Sequence, residues 1–311
     1  MEFSRLDPVL QLQRLQPPAT QIRMVLDTDT YNEIDDQFAV VYSLLSPEEL
    51  ELEAVYAAPF HNTRSTGPGD GMEKSYDEIL RLLTRLDVSP DEFVFRGSAG
   101  FLPDRQHPYR SAAALDLVER AMAGGDKPLY VLAIGAITNV ASAILIEPKI
   151  IEHIIVVWLG GQPLYWPSAR EFNLQQDLIA SQTMFDCGVP LVVIPCTGVA
   201  SQLLTTWPEI ERYVKGQGAI GDYLAQIFDA YHADEIHPPD KFAWSKVIWD
   251  ISGVAWLLDS SWVPSDVVNS PVLTDQYTWS FDRRRHWVRF ANFVHRDPVF
   301  RDLFSKLARR A

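Results

Sequence analysis

Short runs rich in Val, Ile and Leu punctuate the first two thirds of the chain. They are IRMVLDTD from Ile22, LELEAVYAA from Leu50, EFVFRG from Glu92, LYVLAIG from Leu129, HIIVVWLGG from His153 and VPLVVIP from Val189. Runs of this kind predict strands buried on both faces. The segments between them space their apolar residues for one face of a helix: DQFAVVYSLLS, EKSYDEILRLLTRL, AAALDLVERAMAG, TNVASAILIEP and DLIASQTMFDCG. Strand alternating with helix predicts an α/β fold, an open and mostly parallel β-sheet flanked by helices. After residue 200 the pattern changes to helical stretches near 208–232 and 244–258. Two short β runs, QYTWS and HWVRF, then surround the turn FDRRR, and the helix DPVFRDLFSKLARR closes the chain. These predict a helical C-terminal part with a small β-hairpin. No repeat or Gly/Ser linker interrupts residues 1–311, which read as one domain, with 1–20 around Pro17–Pro18 as a loosely attached arm.

Charge narrows the partners. Forty-one acidic residues against 27 basic ones give a net charge of −14 in 311 residues. A polyanionic partner needs a basic footprint, so nucleic acid is excluded and a small neutral substrate or a cation is favoured. No apolar run approaches the roughly 18 residues that cross a bilayer, so no membrane partner is expected. The N-terminal residues lack a basic start followed by an apolar core, so no secretory signal is expected. Two cysteines, Cys187 and Cys196, are too few for a disulfide framework; they read as buried thiols in a reducing cytoplasm.

The most informative stretch is MVLDTDTYNEIDD, which gathers Asp27, Asp29, Glu33, Asp35 and Asp36 directly behind an apolar run. Asp27 and Asp29, two apart, share one side of a strand and stand at its carboxyl end, where open α/β sheets bind ligands. Asp35 and Asp36 open the next helix, whose N-terminus favours negative charge. A single aspartate there is most simply a cap. Several converging on one strand end need a counter-charge, and an all-oxygen set suits Ca²⁺ or Mg²⁺, with flexible carboxylates favouring Ca²⁺. Glu33 is expected to face water.

At this point the sequence resembles the inosine–uridine preferring nucleoside hydrolase family, whose first strand ends in D-x-D-P-G-x-D-D. Here DTDTYNEIDD keeps the flanking acids, with two extra residues and no Pro-Gly. APFHN, ending at Asn62, stands where the family has Gly-Asn. GAITNVASAILIEP resembles its LTN segment, WLGGQ…AREFNLQQD its M-G-G…E-F-N stretch, and VIWDISGVAWLL its helix opening with His-Asp. The likeness spans about residues 22–258, and five motifs in order make it specific. It implies a Ca²⁺ site built from Asp29, Asp36, Asp250 and the backbone carbonyl of Thr138. Asp29 is also implied as the general base that activates a metal-bound water. Asp35, Asn62, Glu171 and Asn173 are implied to hold the ribose hydroxyls beside Asp250, with Asp27 in support. The implied reaction is hydrolysis of the N-glycosidic bond of ribonucleosides to ribose and free base, by a homodimer or homotetramer. Carboxylates near the sugar suit the oxocarbenium character of that transition state.

Several of these residues have plainer readings. Asn62 fits a turn, Glu171 and Asn173 alternate as on a strand edge, and Thr138 fits any helix start. Asp250 lies in a strongly apolar helical stretch, where a charge needs a partner. The chain also departs from the family pattern. Trp249 replaces the histidine before the last aspartate, QPLYWPSA replaces a Gly-Asn, and the loop Thr30–Ile34 is longer. Contacts to the leaving base are expected from aromatic stacking by Tyr165, Trp166, Trp244 or Trp249, or from His232 or His237 as the acid. RRRH, Arg283 to His286, reads as a solvated turn. The competing functions are hydrolysis of another N-ribosyl compound, and a non-catalytic nucleoside- or ribose-binding protein.

Overall fold

The apolar runs are continuous because the strands they form are covered on both faces. Leu129–Ala133 and Ile154–Leu159 are buried at every position. The structure is a computed structural model that describes residues 3, 6–125, 127–235 and 243–310. Its first part comprises α1 (Pro8–Arg14), β1 (Ile22–Thr28), α2 (Asp35–Leu44), β2 (Leu50–Ala57), α3 (Pro68–Arg85), β3 (Val94–Arg96), α4 (Ala112–Ala123) and β4 (Leu129–Ala133). Then come α5 (Thr138–Ile146), β5 (Ile154–Leu159), α6 (Phe172–Gln176), α7 (Leu178–Asp186), β6 (Leu191–Ile194), β7 (Leu204–Thr206), α8 (Trp207–Tyr213) and α9 (Gly218–Glu235). The chain ends with β8 (Ser245–Val247), α10 (Ile251–Leu258), β9 (Ser265–Asn269), β10 (Val272–Leu273), β11 (Trp279–Ser280), β12 (Trp287–Ala291) and α11 (Arg296–Arg310).

The main sheet has the order β3-β2-β1-β4-β5-β6-β12-β9, and only the β12–β9 pairing is antiparallel. Strand order reverses between β1 and β4, which pair from Arg23↔Leu129 to Asp27↔Ala133. Connections leave that point in opposite directions and open a crevice at the strands' carboxyl ends. Met24 and Leu26 pack into the core on one face, beside Phe38 and Trp256. Val25 packs into the other, beside Val131, Trp158 and Phe185.

Three local expectations are revised. The stretch 244–258 is not one helix: Ser245–Val247 pairs antiparallel with β7, and the helix begins only at Ile251. Its first apolar residues satisfy their backbone in that ladder, which places Asp250 at the N-cap of α10. HWVRF is a strand of the main sheet, and QYTWS contributes to the small hairpin β10–β11 instead, closed around Thr274 and Thr278. The turn between them is anchored as well as solvated, for Arg285 pairs with Asp186 at 2.8 Å.

The N-terminal segment, expected as a loose arm, carries α1 and is fastened to the sheet. Leu15 is fully buried, Gln11 Nε2 donates to the Trp287 carbonyl at 3.0 Å, and Arg289 Nε donates to the Leu15 carbonyl at 2.6 Å. Leu15→Ala is expected to cost about 2–5 kcal/mol, as large-to-small core substitutions do. Urea denaturation checks this: a change within error would mean the segment contributes no packing.

Candidate active site

The crevice between β1 and β4 is where the acidic residues converge. Asp27 is the last residue of β1 paired with both neighbours, and Asp29 follows immediately after the strand. Both are fully buried. Asp27 Oδ1 accepts from Asn139 Nδ2 at 2.7 Å, and Asn139 in turn accepts from the Ser98 backbone and hydroxyl. That bridge requires glycine at position 97, because a Cβ there would stand 2.4 Å from Asn139 Nδ2 and 2.0 Å from the Ala57 carbonyl. Gly135 likewise leaves room for Asp29, whose Cγ would lie 3.0 Å from a Cβ at that position.

Asp35 and Asp36 occupy the first turn of α2 and are almost wholly buried. Thr28 Oγ1 donates to Asp36 Oδ1 at 2.5 Å, and the Trp249 backbone N–H donates to Asp35 Oδ2 at 3.2 Å. Among the described residues, Asp35, Asp36 and Asp250 bring ligand atoms within 4.8 Å of one another. Asp29 meets Asp36 carboxyl to carboxyl beside this trio, and neither Asp29 oxygen has a hydrogen-bond donor.

Burial raises the carboxyls of Asp27, Asp29, Asp36 and Asp250, and repulsion from neighbouring carboxylates raises the last three further. Asp29 is pushed well above the ordinary range by burial and by the charges of Asp36, Asp35 and Asp27. Asp250 is raised by burial and by Asp35, Asp36 and Asp29. Asp36 is raised to about 7 by burial and by Asp35, with Thr28 opposing. Asp27 is raised to about 7 by burial alone, with Asn139 opposing. Such a set holds either extra protons or a cation. The donors are all hard oxygens, and the buried Asp29 oxygens lack any other partner, so the residues fit a hard divalent cation.

A cavity of about 260 Å³ opens onto the trio, walled by Asn32, Ile134, Glu171, Asn173 and Trp249 among others. Glu171 and Asn173 do not lie on a strand edge. Glu171 is the N-cap of α6, accepting from the backbone of Gly161, Asn173 and Leu174 at 2.9–3.1 Å. A short helix forms there because Glu171 satisfies its free N–H groups. Burial raises the Glu171 carboxyl, against the pull of those three donors. Asn173 Nδ2 donates to the carbonyls of Ile134 and Leu159 at 3.1 and 3.0 Å, tying α6 to the ends of β4 and β5.

Of the other expected residues, Asp29, Asn62 and Thr138 stand off the cavity wall. Asn62 donates to Asn32 Oδ1 at 2.7 Å and accepts from the Arg64 backbone, so it supports a wall residue. Thr138 opens α5 with its hydroxyl bonded to Asp177 at 2.8 Å, while Ile134 is the residue of that strand-to-helix turn that lines the cavity. Trp249 lines the cavity too. Trp166 is 41% exposed and Tyr165 76%, and the two pack edge to face; Trp244 packs against Phe228. His237 and the His232 side chain lie outside the described residues.

Glu33 does not simply face water: it pairs with Lys246, which is 8% exposed. Burial opposes the Lys246 charge, but Asp35 and Glu33 outweigh it and lift the ammonium above its ordinary value. Sequence reasoning misses this lysine, although a lone cation inside FAWSKVIWDIS signals a buried ion pair. It misses Asn139 and Ile134 as well; a backbone carbonyl leaves no trace in side-chain identity.

Comparison with known proteins adds an independent line. The family model described as inosine-uridine preferring nucleoside hydrolase matches residues 24–298. A pyrimidine-specific ribonucleoside hydrolase, RihA, of Klebsiella pneumoniae is 29% identical, covering 71% of this chain and 78% of that protein. The fold resembles a purine-preferring ribonucleoside hydrolase from Gardnerella vaginalis, with a TM-score of 0.74 at 21% identity over 93% of this chain and 98% of that one. A plant nucleoside hydrolase, PpNRh1, gives a TM-score of 0.71 at 20% identity over 92% and 99%.

The raised carboxyls set the pH response of the metal-free protein. Between the ordinary aspartate value of 3.8 and about 7, the folded chain keeps protons on Asp27 and Asp36 that the unfolded chain has released. Their contribution to stability is therefore present at low pH and lost as pH rises toward 7. In chelator, the melting temperature is expected to fall from about pH 5 to about pH 8. Scanning fluorimetry across that range checks it; a rising melting temperature would show that the cluster is not protonated.

Proposed function

Since the chain belongs to the inosine–uridine preferring nucleoside hydrolase family and is an N-glycosyl hydrolase of ribonucleosides, we propose that Asp29 is its general base beside a Ca²⁺ site. The observation that carries this reading is the buried Asp29 carboxyl with no donor on either oxygen, beside Asp36 and within the influence of Asp35 and Asp250. Asp29, Asp36 and Asp250 would hold the ion, as the resemblance implies. For the backbone ligand, the cavity wall favours the Ile134 carbonyl over that of Thr138. A bound divalent cation supplies the positive charge that lets these carboxylates stay ionised together and makes an attacking water more acidic.

The protein's own groups then do the remaining work. Asp29 takes a proton from water at a carboxylate oxygen, the role for which a buried, otherwise unengaged base is suited. Asp35, Glu171 and Asn173 line the cavity together with Asp36 and Asp250, while Asp29 lies behind its wall beside Asp36, and the three are proposed to hold the ribose hydroxyls. The surrounding negative charge stabilises the sugar as it becomes cationic. Backbone donors at Gly161, Asn173 and Leu174 fix Glu171 in place, so its orientation is set before substrate arrives. Trp249 at the cavity cannot give a proton to the leaving base, so the base must leave without an acid at that position. Stacking on its indole is the proposed aid.

Among the described residues no helix is long and apolar enough to cross a membrane. Cytoplasmic residence, a role in nucleoside salvage and assembly as a homodimer or homotetramer belong to the same proposal.

Release of reducing sugar from purine and pyrimidine ribonucleosides, with Ca²⁺ and after chelation, tests the reading. Asp29→Ala is expected to lower kcat by about 10²–10⁴-fold, the usual size of a general-base contribution. Ca²⁺ is expected to raise the melting temperature of the wild type, most at the alkaline end of the range. Ribose release that survives both chelation and Asp29→Ala would overturn the mechanism.

A further inference from the structure

The wall of the catalytic cavity is rich in acid and carries no base. Glu33, Asp35, Asp36, Glu171 and Asp250 all stand in it, and among the described residues no Lys, Arg, His or Tyr does. Lys246 is paired with Glu33 and does not reach the wall. One divalent cation and one lysine offset fewer charges than these acids and Asp29 carry when ionised, so the cavity stays negative. Two aromatic residues stand among the acids. Trp249, half-buried, precedes Asp250 and donates its backbone N–H to Asp35 Oδ2 at 3.2 Å. Phe172, also half-buried, lies between Glu171 and Asn173 in the chain and walls the cavity with them. Aromatic faces beside carboxylates are a setting that attracts an organic cation.

This combination bears on which leaving group the cavity can release. Breaking the C1′–N bond of a neutral nucleoside sends the bonding pair to the base, which departs as an anion unless an acid protonates it. The sugar's growing positive charge suits the carboxylates, but an anionic base is repelled by them. Several of those carboxyls are already engaged as acceptors: Glu171 by three backbone N–H groups, Asp35 by that of Trp249, and Asp36 by the Thr28 hydroxyl. A ring that is positive before the reaction avoids the difficulty. As the oxygen of water bonds to C1′, the C1′–N⁺ bond breaks and its electron pair returns to the ring nitrogen. The ring leaves as a neutral heterocycle and the proton of water goes to Asp29. Positive charge moves from ring to sugar, and no anion forms.

We propose that the preferred substrate is an N-ribosyl azinium cation, a ribose joined to a pyridinium-type ring nitrogen, with the Trp249 indole as the face on which the charged ring rests. The inference rests on the hydrolase reading above and shifts its preference from neutral purine and pyrimidine nucleosides to a cationic riboside.

The test measures kcat/KM for nicotinamide riboside, uridine, inosine and p-nitrophenyl riboside, the last a neutral riboside whose leaving group departs readily as an anion. Nicotinamide riboside is expected to exceed uridine and inosine by about 10²-fold or more, the lower end of the general-acid contribution that those two require. It is expected to exceed p-nitrophenyl riboside by about 10-fold, the worth of a partly desolvated cation–π contact. Calorimetry gives a readout apart from turnover. The cation 1-methylnicotinamide is expected to bind about 10-fold more tightly than neutral nicotinamide, and a folded Trp249→Leu to lose that preference. Any of the three neutral ribosides cleaved as well as nicotinamide riboside would overturn the proposal and leave the hydrolase reading intact. So would equal binding of cation and neutral ring by the wild type, or a preference kept in Trp249→Leu. Cleavage of none of the four would overturn the hydrolase reading and this inference with it. The wild-type comparisons need no variant, so a Trp249→Leu that fails to fold does not shelter the idea.

Discussion

Carboxylates that cannot escape one another govern this molecule. Asp29, Asp35, Asp36 and Asp250 are buried together, and water does not screen their repulsion. Everything near them is arranged to make that tolerable. The crevice lies where strand order reverses, so backbone N–H groups and helix N-termini face it. Glycine at 97 admits Asn139 at a distance any side chain would forbid, and glycine at 135 leaves Asp29 room that a Cβ would crowd. Lys246, buried against Glu33, supplies a fixed positive charge within reach of Asp35. A cation completes what one lysine cannot.

The protein therefore separates two tasks. Asp27 accepts from Asn139 and is tied to the scaffold, whereas Asp29, two residues on, is left without a donor, as suits the base proposed for it. The same division recurs at α6. Glu171 is occupied by three backbone donors that fix its orientation, and Asn173 uses its amide to hold β4 and β5 together. The groups proposed to recognise the sugar are pinned; the one proposed to react is not.

How much of this can be read from the sequence depends on the kind of signal. Buried strands such as Leu129–Ala133 and Ile154–Leu159 write their two-sided burial directly into continuous apolar runs, so the sheet and its helices are plain. The acidic run from Asp27 to Asp36 is equally plain, because charge clustered behind a buried strand demands a counter-charge. Pairing is less visible. Nothing local says that Val247 will find Leu204, so the apolar spacing there reads as the start of a helix when it is a strand. Glu171 as a cap looks the same as Glu171 on a strand until Gly161 is brought beside it. The Glu33–Lys246 pair joins residues 213 positions apart, and a backbone carbonyl such as that of Ile134 is silent in any sequence.

That long-range pair has a consequence for how the molecule comes into being. Asp29 and Asp36 leave the ribosome early, while Lys246 and Asp250 emerge only after the first six strands of the main sheet, β1–β6, have been made. Contacts of such separation form late, since the chain entropy of closing the intervening loop is lost before they contribute. Until then the acidic pocket is an unfinished, negatively charged notch on a sheet that still lacks β9 and β12. Its final closure waits for the segment that carries both the balancing lysine and the last carboxylate.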